Sequence, residues 1–330
     1  MPDYSPPFDI TSAMLTSVSE ISEKLGRISM TSELDVRPHL RRSNRIRSIH
    51  SSLRIEANSL SLTQVRDVID GHIVLGEQRE IQEVKNAYAA YELLPQIDPY
   101  DLSQLKVLHG VMTKYLEDES GEFRRGEEGV FQNGVCIFMA PPARLVPAQM
   151  ESLFAWMNRM QGQLHPLILS AVFHYEFVFI HPFTDGNGRM ARLWHTAILS
   201  KWNHIFEYLP IESQIERFQD EYYASIAQCH KDGHSNRFVE FMLCQINVAL
   251  DELSAHFQDV NDQITGRVRK LLDAMHFDVC YTTQELMQMM NLRSRESFRQ
   301  NYLLPALKLG LVEMTVPDKP NSKNQRYMRH

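Results

Sequence analysis

The residues best placed to do chemistry run from His181 to Arg192: His-Pro-Phe-Thr-Asp-Gly-Asn-Gly-Arg-Met-Ala-Arg. Gly186 and Gly188 let the backbone turn tightly, so successive N–H groups can face an anion at the N-terminus of the following helix, where the dipole is positive. Phosphate oxygens suit such a place. Arg189 and Arg192 are neighbours on the first turn of that helix, and their guanidinium forks match phosphate or carboxylate geometry. Asp185 supplies a hard oxygen, and Mg2+ typically takes one or two carboxylates together with substrate phosphates. His181 stands at the other end of the loop, where its imidazole suits a general base that deprotonates an incoming hydroxyl. The pattern reads as a metal–nucleotide site.

Two helices must hold this loop. Pro166 suits a first helical position, and Leu167, Ile168, Leu169, Val172, Phe173 and Phe177 make the helix before the loop apolar nearly all round, as in a central buried helix. After the loop a new helical pattern runs through Met190, Leu193, Trp194 and Ile198. Upstream, Ser61-Leu-Thr-Gln64 is a capping box and Asp101 can cap a helix holding Leu105, Leu108 and Val111. The one clear strand signal is Val130 to Met139, two apolar runs around Asn133-Gly134, the dipeptide favoured in a hairpin turn. Its role, surface hairpin or functional element, stays open at this point. Helices are expected from about Pro147 to Met160, Ser213 to Cys229 and Asn236 to Phe257, giving a mainly α body with one hairpin. His109, and His174 and Glu176 within the apolar helix, read as satisfied core polar groups.

Length and composition bound what this body can be. With 330 residues, 43% hydrophobic and 23% charged, the chain can form one large domain and a small one. A net charge of -7 excludes a bulk nucleic-acid or membrane-surface binder. Cys136, Cys229, Cys244 and Cys280 show no CxxC spacing, so neither a disulfide scaffold nor a zinc ribbon is supported, and a reducing cytosol fits. No secretory signal opens the sequence, and the most apolar stretch, Leu164 to Ile180, falls short of the roughly 20 residues a membrane span needs. A cytoplasmic protein without a membrane partner is expected.

Charge shifts near residue 260. From Ile264 to His330 there are 11 Lys/Arg against 6 Asp/Glu, a net of +5. A helix over Val268 to Met275, a Thr282-Thr-Gln-Glu285 capping box, a third helix from about Ser294, and strands over Leu311 to Thr315 and Gln325 to Met328 follow the order of a winged helix-turn-helix. DNA binding and protein contact are both open for it. Arg293, Arg295 and Arg299 lie at the start of and along the third helix, and Lys319, Lys323 and Arg326 in or beside the wing.

The His181–Arg192 segment resembles the Fic family signature H-x-F-x-(D/E)-G-N-G-R-x-x-R at every defining position, a match whose chance occurrence in a chain this long is on the order of 10⁻⁸. The resemblance extends over roughly Leu40 to Leu250, through RSNRIRSIHSSLRIEANSLS, GEFRRGEEGV, FHYEFVFIHPF and YYASIA. It implies a helical core (101–260) with a β-hairpin flap, an N-terminal helical region (1–100) bearing an inhibitory motif, and the winged helix (264–330). The implied activity is transfer of AMP from Mg-ATP to a Ser, Thr or Tyr hydroxyl of a target protein, self-modification included. On that resemblance His181 is the catalytic base and Asp185 holds Mg2+ between the α and β phosphates. Gly186, Asn187 and Gly188 cradle those phosphates, Arg189 clamps the β-phosphate and Arg192 meets the γ-phosphate. Phe183 anchors the loop, and the hairpin, with Val130, Phe131, Val135 and Ile137, aligns a target peptide by strand addition.

Tyr222 and Tyr223 fall where the family has an adenine-pocket pair, and the alternative of two core aromatics stays open. His230 stands where the family often has Asn. The family's inhibitory motif (S/T)-x-x-x-E-(G/N) is matched by Ser52 and Glu56, with Ala57 in place of Gly or Asn; a Glu reaching Arg192 takes the guanidinium the γ-phosphate needs. Two alternatives remain: a related reaction, removal of AMP or transfer of another phosphate-containing moiety, and a DNA-bound regulator acting through the winged helix.

Overall fold

The computed structural model describes residues 4–30, 38–132, 135–276, 279–316, 319–320 and 322–329, and their side chains except at 30, 38–40, 130–132, 135–137 and 256–263. The chain divides into two compact units, one of residues 1–25 and 44–250, the other of 26–43 and 251–330.

In order along the chain come α1 (Ser12–Met30), α2 (Pro38–Ile55), α3 (Leu62–Ile69), α4 (Gln78–Leu93) and α5 (Leu102–Met112). The hairpin strands β1 (Gly129–Gln132) and β2 (Val135–Met139) follow, then α6 (Val146–Met160), α7 (Pro166–Ile180), α8 (Asn187–Trp202), α9 (Ile211–Arg217), α10 (Gln219–Asp232) and α11 (Asn236–Gln263). The expected caps form: Ser61 and Gln64 make a reciprocal capping box on α3, and Asp101 accepts from Ser103 N–H at the start of α5. His165 caps α7 through its side chain, with Pro166 in the first turn. Such caps contribute about 1 kcal/mol each.

α7 is the centre of the first unit. Its Leu167, Val172, Phe173 and Phe177 are fully or almost fully buried, and it packs along α8, whose Leu193 and Trp194 are equally buried. The one long helix expected over Ser213 to Cys229 is two: α9 ends at Phe218 (φ -115°, ψ 41°), which leaves helical geometry before α10 begins. β1 and β2 pair antiparallel, Gly129 with Met139 and Val130 with Phe138, and then slip in register so that Phe131 faces Cys136. The Asn133-Gly134 turn lies outside the described residues.

The second unit holds α12 (Gly266–Ala274), β3 (Cys280–Tyr281), α13 (Thr283–Met289), α14 (Arg295–Phe298), a π-helical turn over Arg299–Leu303, α15 (Leu304–Lys308), β4 (Val312–Met314) and β5 (Tyr327–Arg329). Leu271, Leu286, Phe298 and Ala306 sit in its core. Pro305, which has no N–H and crowds the carbonyl four residues back, does not end the third helix; the ladder widens to π geometry just before it. The sheet has the order β3-β5-β4, so the expected pair of strands gains a third, two-residue member.

Candidate active site

α7 ends abruptly because His181 takes left-handed backbone geometry (φ 53°, ψ 61°), a conformation that costs a non-glycine residue about 1–2 kcal/mol. Arg124 secures that end. Its guanidinium donates to the carbonyls of His181 (2.7 Å), Gly126 (2.8 Å) and Pro141 (2.5 Å), and its backbone N–H to Pro182 O (2.9 Å). A buried cation satisfying helix-end carbonyls is chemically apt. Nothing in its RRGEE surroundings marks Arg124 in the sequence.

The His181 ring is fixed by Nδ1, which lies 3.3 Å from Val178 O. A carbonyl only accepts, so Nδ1 carries the proton and the lone pair is on Nε2. Burial pushes the imidazole below its ordinary pKa, the Val178 hydrogen bond offsets part of this, and the Arg124 charge lowers it further. A neutral ring at neutral pH suits a base.

The loop beyond His181 is braced from beneath. Asn187 Oδ1 accepts from Phe183 N–H (2.9 Å) and its Nδ2 donates to Phe183 O (2.6 Å). That side chain therefore braces the loop from within. Phe183 is fully buried and stacks on His109 at 3.6 Å. His109 accepts from Gly121 N–H at Nδ1 (2.9 Å), leaving Nε2–H to donate to Asp185 O (3.0 Å). The reading of His109 as a satisfied core group holds, and its partner turns out to be the loop itself. Burial pushes its pKa down to about 4.

At the loop's mouth Gly186 (φ 80°) opens α8. Asp185 Oδ1 accepts from Gly186 N–H (2.6 Å), while Oδ2 meets Arg189 Nη2 (2.8 Å) and Arg79 Nη2 (3.2 Å). Burial works against the charge on Asp185, yet Arg189 and the Gly186 hydrogen bond outweigh it and hold the carboxyl below its ordinary pKa. Arg189 is buried with Nε and Nη1 lacking hydrogen-bond acceptors, and Nη1 is ion-paired with Glu83 Oε1 at 3.7 Å. Such donors beside a helix N-terminus and the Asp185 carboxylate fit a phosphate chain with a divalent cation. Among the described residues no group of three His, Cys, Asp or Glu could hold a metal by itself.

Arg192, the second arginine of the motif, is engaged from α2. Its Nε donates to Ser52 Oγ (3.0 Å), and Nη2 donates to Ser52 O (2.9 Å) and Glu56 Oε1 (2.7 Å). Burial opposes the guanidinium's charge, and the Glu56 carboxylate overcomes it, raising the pKa above the ordinary value. A Cβ built on Gly188 would run into Glu56 Oε1, so the carboxylate lies over the first turn of α8, where an anion is favoured. Ala57 adopts φ 66° and, with Asn58, closes α2 through Ala57 N–H to Arg54 O (3.0 Å) and Asn58 N–H to Leu53 O (3.1 Å). This is the turn a glycine makes more cheaply. Alanine there does not divert Glu56.

The two tyrosines of the expected adenine pair differ in burial: Tyr222 is 2% exposed, its hydroxyl 3.0 Å from His174 Nε2, and Tyr223 is 46% exposed. Their rings meet edge to face at 5.2 Å. His230 stacks on Phe138 of β2 at 4.2 Å, which ties α10 to the hairpin. The side chains of Val130, Phe131, Val135 and Ile137 lie outside the described residues; their backbones form the strands.

The chain is similar to known proteins over most of its length. A profile of the Fic/DOC family matches residues 99–199, and one described as the C-terminal domain of the "Filamentation induced by cAMP protein Fic-like" proteins matches 266–328. A crystal structure of a Fic family protein from Desulfovibrio desulfuricans is 43% identical, covers 99% of this chain and 98% of that one, and superposes with a TM-score of 0.75. The chain therefore belongs to the Fic family. Fic-1 from Caenorhabditis elegans, 21% identical with a TM-score of 0.62 over 74% of this chain and 73% of that one, shares the fold. Among curated proteins, the protein adenylyltransferase Fic of Aedes aegypti is 29% identical over 66% of this chain, and that of Culex quinquefasciatus 30% identical over 60%. The chain covers 44% and 39% of those two proteins, less than half their length. No described helix is long and apolar enough to cross a membrane.

Proposed function

We propose that this chain is a protein adenylyltransferase that moves AMP from ATP to a Ser, Thr or Tyr hydroxyl of a protein, and that Glu56 restrains it. The observation that carries this reading is the Glu56 carboxylate on Arg192 over Gly188, at the helix terminus where a phosphate would bind. His181 Nε2 takes the proton of the target hydroxyl as that oxygen attacks the α-phosphorus. The backbone of Gly186 to Gly188 and the Nε and Nη1 donors of Arg189 hold the phosphates, and Asp185 would hold Mg2+, which when bound would draw charge from the leaving pyrophosphate. Arg192 serves the γ-phosphate once Glu56 leaves it. Tyr223, the exposed member of the tyrosine pair, is kept for the base, and the hairpin backbone for the target peptide. A reducing cytosol is the assigned setting.

The test is incubation of the full chain with Mg2+ and ATP labelled at the α or the γ phosphate. Glu56→Gly should carry at least tenfold more α label than wild type on itself or on added proteins, and no γ label; about 1.4 kcal/mol of restraint already amounts to tenfold. His181→Ala should lose transfer and keep nucleotide binding. Retained γ label, or release of AMP from modified protein with no net addition, would move the reading to the related reactions. A second reading concerns the C-terminal unit, where Arg293, just before the N-cap Ser294, and Arg295 and Arg299 along the third helix are exposed. They suit the phosphates and base edges of duplex DNA. Salt-dependent retention of the full chain on duplex DNA, weakened in Arg295→Ala/Arg299→Ala, is the expected result; no retention at low salt assigns the unit to protein contact.

A further inference from the structure

Restraint by Glu56 does not explain why α2 buries so many other polar side chains. Asn44, Ser48, Ser51 and Ser52 are all buried, and only Ser52 reaches the motif. The partners of the rest fall on one segment, 208–219. Asn44 Nδ2 donates to Tyr208 O (2.6 Å), Ser48 Oγ to Glu212 Oε2 (2.7 Å), Ser51 Oγ shares a hydrogen bond with Ser213 Oγ (3.0 Å), and Gln219 Nε2 donates to Ile55 O (3.2 Å).

Glu212 is the acidic centre of this seam, at 1% exposure. Besides Ser48 it accepts from Tyr91 Oη of α4 (2.8 Å) and Thr196 Oγ1 of α8 (3.2 Å). Burial and the nearby Glu212 push the Tyr91 hydroxyl above its ordinary pKa, so it stays a donor. Ser48 is one turn before Ser52 on α2, and Thr196 is one turn after Arg192 on α8. The two helices thus meet at two polar rungs, Ser52 and Glu56 on Arg192, and Ser48 and Thr196 on Glu212. Ile46, Ile49 and Leu53 also bury α2 against the body, but apolar contact is non-directional and sets no axial position. Hydrogen bonds do. A slip of a single helical turn, about 5.4 Å, would carry Glu56 away from Arg192.

We propose that Glu212 is the positioning residue of the inhibitory helix: it sets the register of α2 against α8 and so keeps the Glu56 carboxylate on Arg192. The inference rests on Glu56 being the restraint. Glu212→Gln preserves volume but replaces one acceptor oxygen by a donor among three hydroxyl groups, leaving the seam mismatched. Ser48→Ala removes only the donor that α2 contributes.

The test measures α-labelling of the full chain in wild type, Glu56→Gly, Glu212→Gln, Ser48→Ala and the double variant Glu56→Gly/Glu212→Gln. Glu212→Gln and Ser48→Ala should each raise labelling roughly three- to tenfold, less than Glu56→Gly. In the double variant Glu212→Gln should add nothing, because the restraint it positions is gone. Amide exchange over α2 should quicken in Glu212→Gln while α7 stays protected. A merely structural Glu212 would instead lower labelling by the same factor with and without Glu56. That outcome, or labelling at the wild-type level in both Glu212→Gln and Ser48→Ala while Glu56→Gly is activated, overturns the proposal. Should Glu56→Gly itself be no more active than wild type, the inhibitory reading fails first and this one with it.

Discussion

α7 and α2 are both largely buried helices that deliver a residue to the same loop, and they are buried in different ways. α7 is held by Phe173, Phe177, Leu167 and Val172, packed on neighbours at near-zero exposure. α2 keeps apolar contacts on part of its surface but meets segment 208–219 through Asn44, Ser48 and Ser51. Apolar burial gives up stability for every atom uncovered, whereas a polar seam can trade its hydrogen bonds for water at a net cost near 1 kcal/mol each. α7 is therefore held chiefly by apolar burial along this stretch, and α2 by apolar burial together with a polar seam.

The comparison predicts unequal responses. Phe173→Ala in α7 should cost about 3–5 kcal/mol, read as a lower denaturation midpoint. A loss under 1 kcal/mol would mean that α7 is no better anchored than α2. Next comes His109, the buried imidazole beneath the loop, whose pKa of about 4 lies below its ordinary 6.5. Between those values the unfolded chain binds a proton that the folded ring refuses, so stability is full above about pH 6.5 and falls as pH drops toward 4, by up to about 3 kcal/mol. Urea midpoints from pH 7 to 4.5 should fall less steeply in His109→Gln; parallel slopes would remove this residue from the account.

Ser51→Ala in the polar seam should cost about 1 kcal/mol, a small fraction of the Phe173 effect. A loss matching Phe173→Ala would erase the distinction drawn between the helices. Smallest is Ala57→Gly, which relieves a left-handed alanine and should raise stability by roughly 0.5–1 kcal/mol, since glycine's greater unfolded-state freedom offsets part of the relief. An unchanged or lower midpoint would show that the turn closing α2 carries no strain.

Much of the fold is local and was legible as such. The run from Leu167 to Phe177 has no polar face for a surface helix, Ser61 and Thr282 each stand three residues before the Gln or Glu that completes a capping box, and the two apolar runs around Asn133-Gly134 mark a hairpin. The break at Phe218 was not legible, because a helical pattern runs through it and only tertiary packing bends it.

The chemistry of the site follows a similar division. The loop from His181 to Arg192 is contiguous, so the order of imidazole, carboxylate, glycines and guanidiniums is set by covalent connection, and the anion-facing character of a glycine-rich helix start is a backbone property. What the folded chain alone decides is how those groups are spent. Glu56 lies on an arginine 136 residues away, Arg124 holds a carbonyl 57 residues away, and Glu212 binds a serine 164 residues before it. Asn187 turns back on Phe183, and Tyr222 turns inward while Tyr223 turns out. Such contacts depend on helix packing and register, which join residues with no local pattern to announce them; a side chain's type states what it can bind, and only its place in the packed structure states what it does bind.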